Sequence, residues 1–173
     1  MSELETNLEL HFRAAKKEDQ VLLQPIRAAA FEPVFASFRT ILGDVIYEAA
    51  QFHEDREQES LLAEMFTDDT VWQLIVAELI ASTGPTIIGF VSVRIDSDHG
   101  FGEIGLNAIS PEHAGKGFGT VMYEYALQQM RDAGVSVATV ATGGDPSHAP
   151  ARRAYEKAGF DVSIPSVWMC RTL

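Results

Sequence analysis

One stretch limits the fold of this chain more than any other. From Ile109 to Thr120 it reads I-S-P-E-H-A-G-K-G-F-G-T, so that a strand ends, a glycine-rich loop turns and an amphipathic helix begins. Gly115, Gly117 and Gly119 at alternate positions let the backbone approach a ligand closely, and successive N–H groups at a helix N-terminus form an anion site. A pyrophosphate fits such a loop; a plain glycine-rich turn is the other reading. Two phosphate motifs are excluded. The P-loop requires Gly-Lys-Ser/Thr, but Lys116 is followed by Gly117, and the dinucleotide fingerprint requires glycine where Thr120 stands.

The flanking patterns set the element order. Leu8 to Ala14 alternates with Leu8, Leu10 and Phe12 on one face, the period of a half-buried strand. From Glu18 to about Phe52 the spacing turns helical, with Phe35, Phe38, Leu42, Val45, Ile46 and Ala49 on one stripe and Pro25 and Pro33 punctuating its entry, which predicts two or three helices. Glu54 to Phe66 continues as a short helix with Leu61, Leu62, Met65 and Phe66 inward. Val71–Ala81 and Thr86–Ile95 read as a hairpin across Ser82–Pro85, and Gly102–Ser110 as a third strand. Phe118–Asp132 is predicted helical, with Phe118, Val121, Met122, Tyr125 and Ala126 on one face and Gly134 as its stop. Val135–Thr142 is predicted as a buried strand and Ala149–Ala158 as a helix ended by Gly159. Phe160–Arg171 completes the order as a last strand or pair broken by Pro165. An antiparallel meander followed by βαβα makes a mixed α+β sheet domain.

Composition narrows the function classes. The 173 residues, 46% apolar and 22% charged, suit one globular domain. No secretory leader is read in Met1–Glu18, and the apolar runs Leu74–Ala81 and Ile87–Val93 are strand length, too short to span a bilayer. The single cysteine, Cys170, cannot form an internal disulfide and fits the cytoplasm. A net charge of −12 argues against nucleic acid. That charge is uneven: residues 1–100 hold 18 acidic against 7 basic side chains, residues 101–173 hold 7 against 6. His11, His53, His99 and His113 lack metal-ligand spacing, so no metal is expected.

A second segment, D-P-S-H-A-P-A-R-R-A-Y-E-K-A-G-F from Asp145 to Phe160, joins the loop in resembling the GNAT superfamily of acetyl-CoA-dependent N-acetyltransferases. That family pairs an R/Q-x-x-G-x-G/A loop with a helix of the form N-x-x-A-x-x-x-Y-x-x-x-G-F, which Ala151, Tyr155, Gly159 and Phe160 match. Ala114 stands where the loop usually has Arg or Gln, and His148 where the helix usually has Asn. The strand Phe101–Ser110 is similar to its counterpart in the transcription-coactivator histone acetyltransferases. The resemblance spans about Arg13 to Phe160 and implies, for the single domain expected over residues 1–173, a GNAT-like α+β fold with a central, mostly antiparallel sheet, a splayed strand pair and helices on both faces. It also implies acetyl-CoA as co-substrate, held by Ala108, Ile109, Ala114, Gly115, Lys116, Gly117, Phe118, Gly119, Thr120, His148 and Ala151.

The same resemblance supplies roles for a direct attack of a primary amine on bound acetyl-CoA. An alkylammonium has a pKa of about 10.4 and needs a base at neutral pH; Glu103 matches the general-base glutamate, its alternative being a solvated strand-edge carboxylate. Tyr155 matches the tyrosine that protonates the departing thiolate, and it also fits as a core aromatic. The N–H of Asn107 matches the donor to the thioester oxygen. His148 matches a residue touching the pantetheine arm. The acceptor is a small-molecule or peptide amine, with neither nucleic acid nor membrane as partner and with a homodimer allowed. The acidic first part either draws a cationic acceptor or serves solubility. Two other classes stay open: an acyl-CoA-binding sensor without turnover, on account of Ala114, and a protein-interaction module built on the helical insert.

Overall fold

The computed structural model describes residues 9–173, so Leu8 of the predicted first strand lies outside the described residues. Strands β1 (Glu9–Ala14), β2 (Gln73–Ala81), β3 (Gly84–Asp96), β4 (Phe101–Ile109) and β5 (Val137–Val140) form one sheet in the order β1-β2-β3-β4-β5. The first four are mutually antiparallel, and β5 joins β4 in parallel. Helices α1 (Gln20–Ala50) and α2 (Phe52–Glu64) pack on one face, α3 (Phe118–Asp132) and α4 (Ala149–Lys157) on the other.

The two-sided sheet explains the near-continuous apolar character of β2 and β3, because a strand covered on both faces must be apolar at every position rather than at alternate ones. Ile75, Ala77 and Leu79 face the core beneath α3, while Leu74 and Val76 face Leu23 and Leu62 of α1 and α2. Phe12 of β1 stacks on Tyr125 of α3 with ring centroids 4.6 Å apart. The β2–β3 turn is tight, since Ala81 already pairs with Gly84.

The region predicted as two or three helices is a long helix with a break. Gly43 sits at φ 71, ψ 160, which no helix interior holds. Its stripe is also rotated: Val45 is 72% exposed and Tyr47 is buried. In α2 Leu62 is fully buried and Leu61 is exposed, and in α3 Val121 faces out while Tyr123 faces in.

The last two expected strands differ more. Instead of a buried run over Val135–Thr142, β5 is a short edge strand with Val137 exposed. No strand forms between residues 161 and 173, where Val162, Ile164, Val167 and Met169 lie open to solvent. Apolar alternation specifies a strand only where a partner edge receives it, and this segment has none among the described residues.

Candidate active site

The sheet opens where the sequence placed its glycine loop. Pairing of β4 with β5 stops at Ile104↔Val140, so from Gly105 onward the two strands are unpaired. Against β3 the register jumps from Val93↔Ile104 to Val91↔Asn107, a bulge that increases local twist and drives the end of β4 away from β5. Gly105 lies in that bulge. A Cβ there would stand 2.6 Å from the Trp72 ring, so only glycine lets Trp72 close over the strand.

The gap opens into a cleft of about 760 Å³ that runs from the loop before α3 to the middle of α4, with α1 as its roof. Its first end presents backbone donors without partners. Gly115 and Gly117 hold φ values of 74° and 88°, and the first α3 bond runs from the Val121 N–H to the Gly117 carbonyl. The N–H groups of Phe118, Gly119 and Thr120 therefore have no partner within the helix, no side chain caps them, and no acidic residue occupies the first turn. Lys116 turns away and donates to the Glu112 carbonyl at 2.8 Å.

The other end holds a hydroxyl pair bridged by an amide. Tyr123 donates to Asn107 Oδ1 at 2.8 Å, while Asn107 Nδ2 donates to the Tyr155 oxygen at 3.0 Å and to the Gly105 carbonyl at 2.8 Å. The two phenols meet the amide differently: Tyr123 makes the short bond to Oδ1, whereas Tyr155 accepts from Nδ2 and reaches the same Oδ1 as a donor only at 3.4 Å. Burial pushes the Tyr155 phenol up from its ordinary value, only partly offset by the bonds with Asn107 and Tyr123, and keeps it protonated at neutral pH. Burial pushes Tyr123 up as well, reinforced by Tyr155.

The roof carries one backbone feature of chemical use. Pro33 has no N–H, so the Ala29 carbonyl four residues earlier loses its helical donor, and both residues line the cleft. A ligand N–H can take that place.

Of the residues singled out from the sequence, Asn107, Ala108, Ile109, Ala114, Gly115, Gly117, Gly119, Thr120, His148, Ala151 and Tyr155 line this cleft together. Lys116, Phe118 and Glu103 are not on its wall. Phe118 packs near His113, ring centroids 6.2 Å apart. Glu103 is four residues from Asn107, roughly 13 Å along an extended strand, and accepts a 2.6 Å bond from Arg94. Sequence reasoning missed Tyr123, whose signal was its spacing with Ala126 and Met130 on the buried face of α3. It also missed the roof residues of α1, which no motif marks.

Comparison with known proteins agrees with this architecture. The model of the acetyltransferase (GNAT) family matches residues 39–160. Among solved structures, the PaiA N-acetyltransferase of Thermoplasma acidophilum in complex with coenzyme A superposes with a TM-score of 0.66 at 19% identity, over 91% of this chain and 93% of that one. A GNAT family acetyltransferase of Brucella melitensis in complex with acetyl-CoA gives 0.60 at 18% identity, covering 89% and 84%. A chimera of the spermidine N-acetyltransferase SpeG of Vibrio cholerae and hSSAT gives 0.56 at 22% identity, covering 87% and 79%. No curated protein matches the sequence significantly.

Proposed function

This chain belongs to the acetyltransferase (GNAT) family, and from that premise we propose that it transfers the acetyl group of acetyl-CoA to a primary amine by direct attack in a ternary complex. The observation that carries the reading is the cleft itself, which joins the open N–H groups of Gly119 and Thr120 at one end to the Asn107–Tyr155 pair at the other. The pyrophosphate would accept from the helix terminus, and the pantetheine arm would run along Ala108 and Ile109 through the gap between β4 and β5. Ala151 would border the arm on the α4 side. Ala114 contributes a methyl group only, so the phosphates would rest on backbone donors alone.

The reaction forms a C–N bond and breaks a C–S bond. As the acceptor nitrogen adds to the carbonyl carbon, the thioester oxygen gains charge that the Asn107 N–H would meet at the bulge. When the C–S bond breaks, the Tyr155 hydroxyl would give its proton to sulfur. Glu103 would serve as base only over intervening water, because Arg94 holds its carboxylate away from the cleft wall. On the roof the open Ala29 carbonyl suits an N–H donor, which an amine supplies.

Calorimetry and a thiol-release assay with spermidine, an aminoglycoside and an alanine-ended peptide test this reading. CoA should bind, and at least one amine should release thiol from acetyl-CoA. Lys116→Ala should bind CoA within a few-fold of wild type. Gly117→Val should bind at least tenfold more weakly, because a β-branched residue cannot hold the positive φ that aims the loop's N–H groups. Gly119→Ala separates ligand approach from strain: the added methyl would meet protein atoms only at 3.9 Å, so any lost affinity comes from the ligand side. Equal CoA affinity in wild type and Gly117→Val would remove the phosphates from this loop, and binding without thiol release to any amine would point to a sensor.

A further inference from the structure

The cleft contains a second titratable constellation that the motif does not explain. Asp145, at the entry to α4, accepts hydrogen bonds on both carboxylate oxygens. His148 Nδ1 donates to Oδ1, and Oδ2 takes the Ser147 N–H at 3.0 Å, the Ser147 hydroxyl, and the Ser37 hydroxyl of α1 at 3.2 Å. Side-chain exposure is 13% for Asp145 and 17% for His148. Phe38 of α1 packs against the imidazole with centroids 5.7 Å apart. Burial pushes the Asp145 carboxyl up, but the bonds from Ser147 and His148 outweigh it and hold it at about 2.

An ionised carboxylate can only accept, so the neutral imidazole must carry its proton on Nδ1. That leaves Nε2 as the ring nitrogen with a free lone pair, without a protein partner among the described residues, on a side chain that lines the cleft. His148 precedes Tyr155 by two helical turns on the same face, about 10 Å along the axis. The Tyr155 side chain leans back toward the helix N-terminus and shortens that span. The two groups therefore face the cleft with opposite capacities: one phenol with a proton to give, one imidazole with a lone pair.

We infer that His148 is the proton acceptor for the amine and that Asp145 is its positioning residue, fixing tautomer and ring orientation from a loop that Ser37 ties to the roof. This rests on the acetyl-transfer reading above. As the acceptor nitrogen bonds to the thioester carbon, one of its protons passes to Nε2 directly or through one water. The C–S bond then breaks, sulfur takes the Tyr155 proton, and solvent carries the imidazolium proton back to the phenolate. Several charged groups surround the imidazole. Asp145 is the negative one in contact with it, and Arg152, which binds the Gly143 and Asp145 carbonyls, and Arg153 and Lys157 on the cleft wall are the positive ones. The α1 residues that touch the dyad, Ser37 and Phe38, are uncharged.

The test compares kcat/KM against pH for wild type, His148→Gln, Asp145→Asn and Glu103→Gln, with the amine that gives most thiol release, alongside CoA affinity. His148→Gln should lose about 10² to 10⁴ in kcat and its acid limb, with CoA affinity held within a few-fold. Asp145→Asn should move the acid limb to lower pH, because a negative neighbour of the imidazolium is gone. A His148→Gln enzyme that keeps its pH profile while CoA affinity falls would make His148 a cofactor contact and overturn the inference, as would a deeper loss in Glu103→Gln. Nitrogen-15 NMR of the imidazole gives a readout independent of turnover. Wild type should show the Nδ1–H tautomer at high pH, and Asp145→Asn should lose that preference; a dominant Nε2–H form in wild type overturns the dyad. Absent thiol release from every amine, with the Nδ1–H tautomer present, counts against the acetyl-transfer reading and not against the dyad.

Discussion

At the scale of single residues the chemistry turns on where protons are held. Asn107 sits between two phenols: the Tyr123 hydroxyl donates to Oδ1 at 2.8 Å, while the Tyr155 oxygen accepts from Nδ2 at 3.0 Å and reaches Oδ1 only at 3.4 Å, which leaves its proton the weaker held of the two. Tyr155→Phe removes that donor and leaves packing almost unchanged, because the ring stays against Tyr123 at a centroid distance of 4.6 Å. We expect kcat to fall by about 10² with CoA affinity unchanged. The loss should be similar for acceptors of high and low basicity, since the missing proton goes to sulfur. Stopped-flow thiol release across amines of graded pKa measures this, and a loss that grows with acceptor basicity would place Tyr155 on the amine side. Tyr155 was legible in the sequence from its motif spacing. Its partner Tyr123 was not, because helical periodicity marks a buried face without saying which hydroxyl meets which amide across 16 residues of chain.

At the scale of elements, the roof depends on how α1 meets α2 across a helix break. Tyr47 and Asp55 are both buried, and the phenol donates to Asp55 Oδ2 at 2.7 Å while Gln51 donates to Oδ1 at 2.8 Å. Burial and the bond to Asp55 push the Tyr47 phenol up to about 12. Tyr47→Phe leaves one oxygen of a buried carboxylate without its donor, which costs about 1–3 kcal/mol. For a chain of this size, that lowers Tm by roughly 2–12 °C. Differential scanning calorimetry should show the drop, and an unchanged Tm would mean that water replaces the phenol and the α1–α2 contact carries little. The break was only half legible. Pro25 and Pro33 punctuate the entry of the helical region in the sequence, yet both lie inside α1, while Gly43, whose positive φ makes the break, carries no signal beyond being a glycine. A proline removes one N–H from a helix that packing still holds together, whereas a left-handed residue redirects the chain.

At the scale of the molecule, the uneven charge becomes spatial. The first hundred residues, with 18 acidic against 7 basic side chains, build β1 to β3 and the two helices of the roof face, and α1 lines the cleft. Part of this acidity is neutralised locally: Arg13 ties Asp19 to Glu78, and Arg39 pairs with Glu48. The remainder forms a field that acts over about 8 Å at physiological salt and steers encounter more than it holds a ligand. We therefore expect kcat/KM for spermidine to fall steeply between 50 and about 500 mM salt, while the value for an uncharged aryl amine stays flat. Parallel curves would assign the acidity to solubility.

The sequence by itself determined the parts that depend on local backbone chemistry or on a covered face. Glycines at alternate positions before a helix specify the positive-φ turn that leaves the first helical N–H groups open, and continuous apolar runs specify strands that are buried on both sides. Ala151, Tyr155 and Gly159 recur at spacings that one short helix must satisfy. Tertiary structure alone decided what depends on which surfaces meet. The bulge at Gly105 and the early end of β5 open the cleft, Arg94 takes the Glu103 carboxylate, and Asp145 takes the His148 ring. The apolar pattern after Phe160 remains open to solvent. Each of these outcomes is a competition between partners far apart in the chain, and residue order carries no term for the one that is nearest in space.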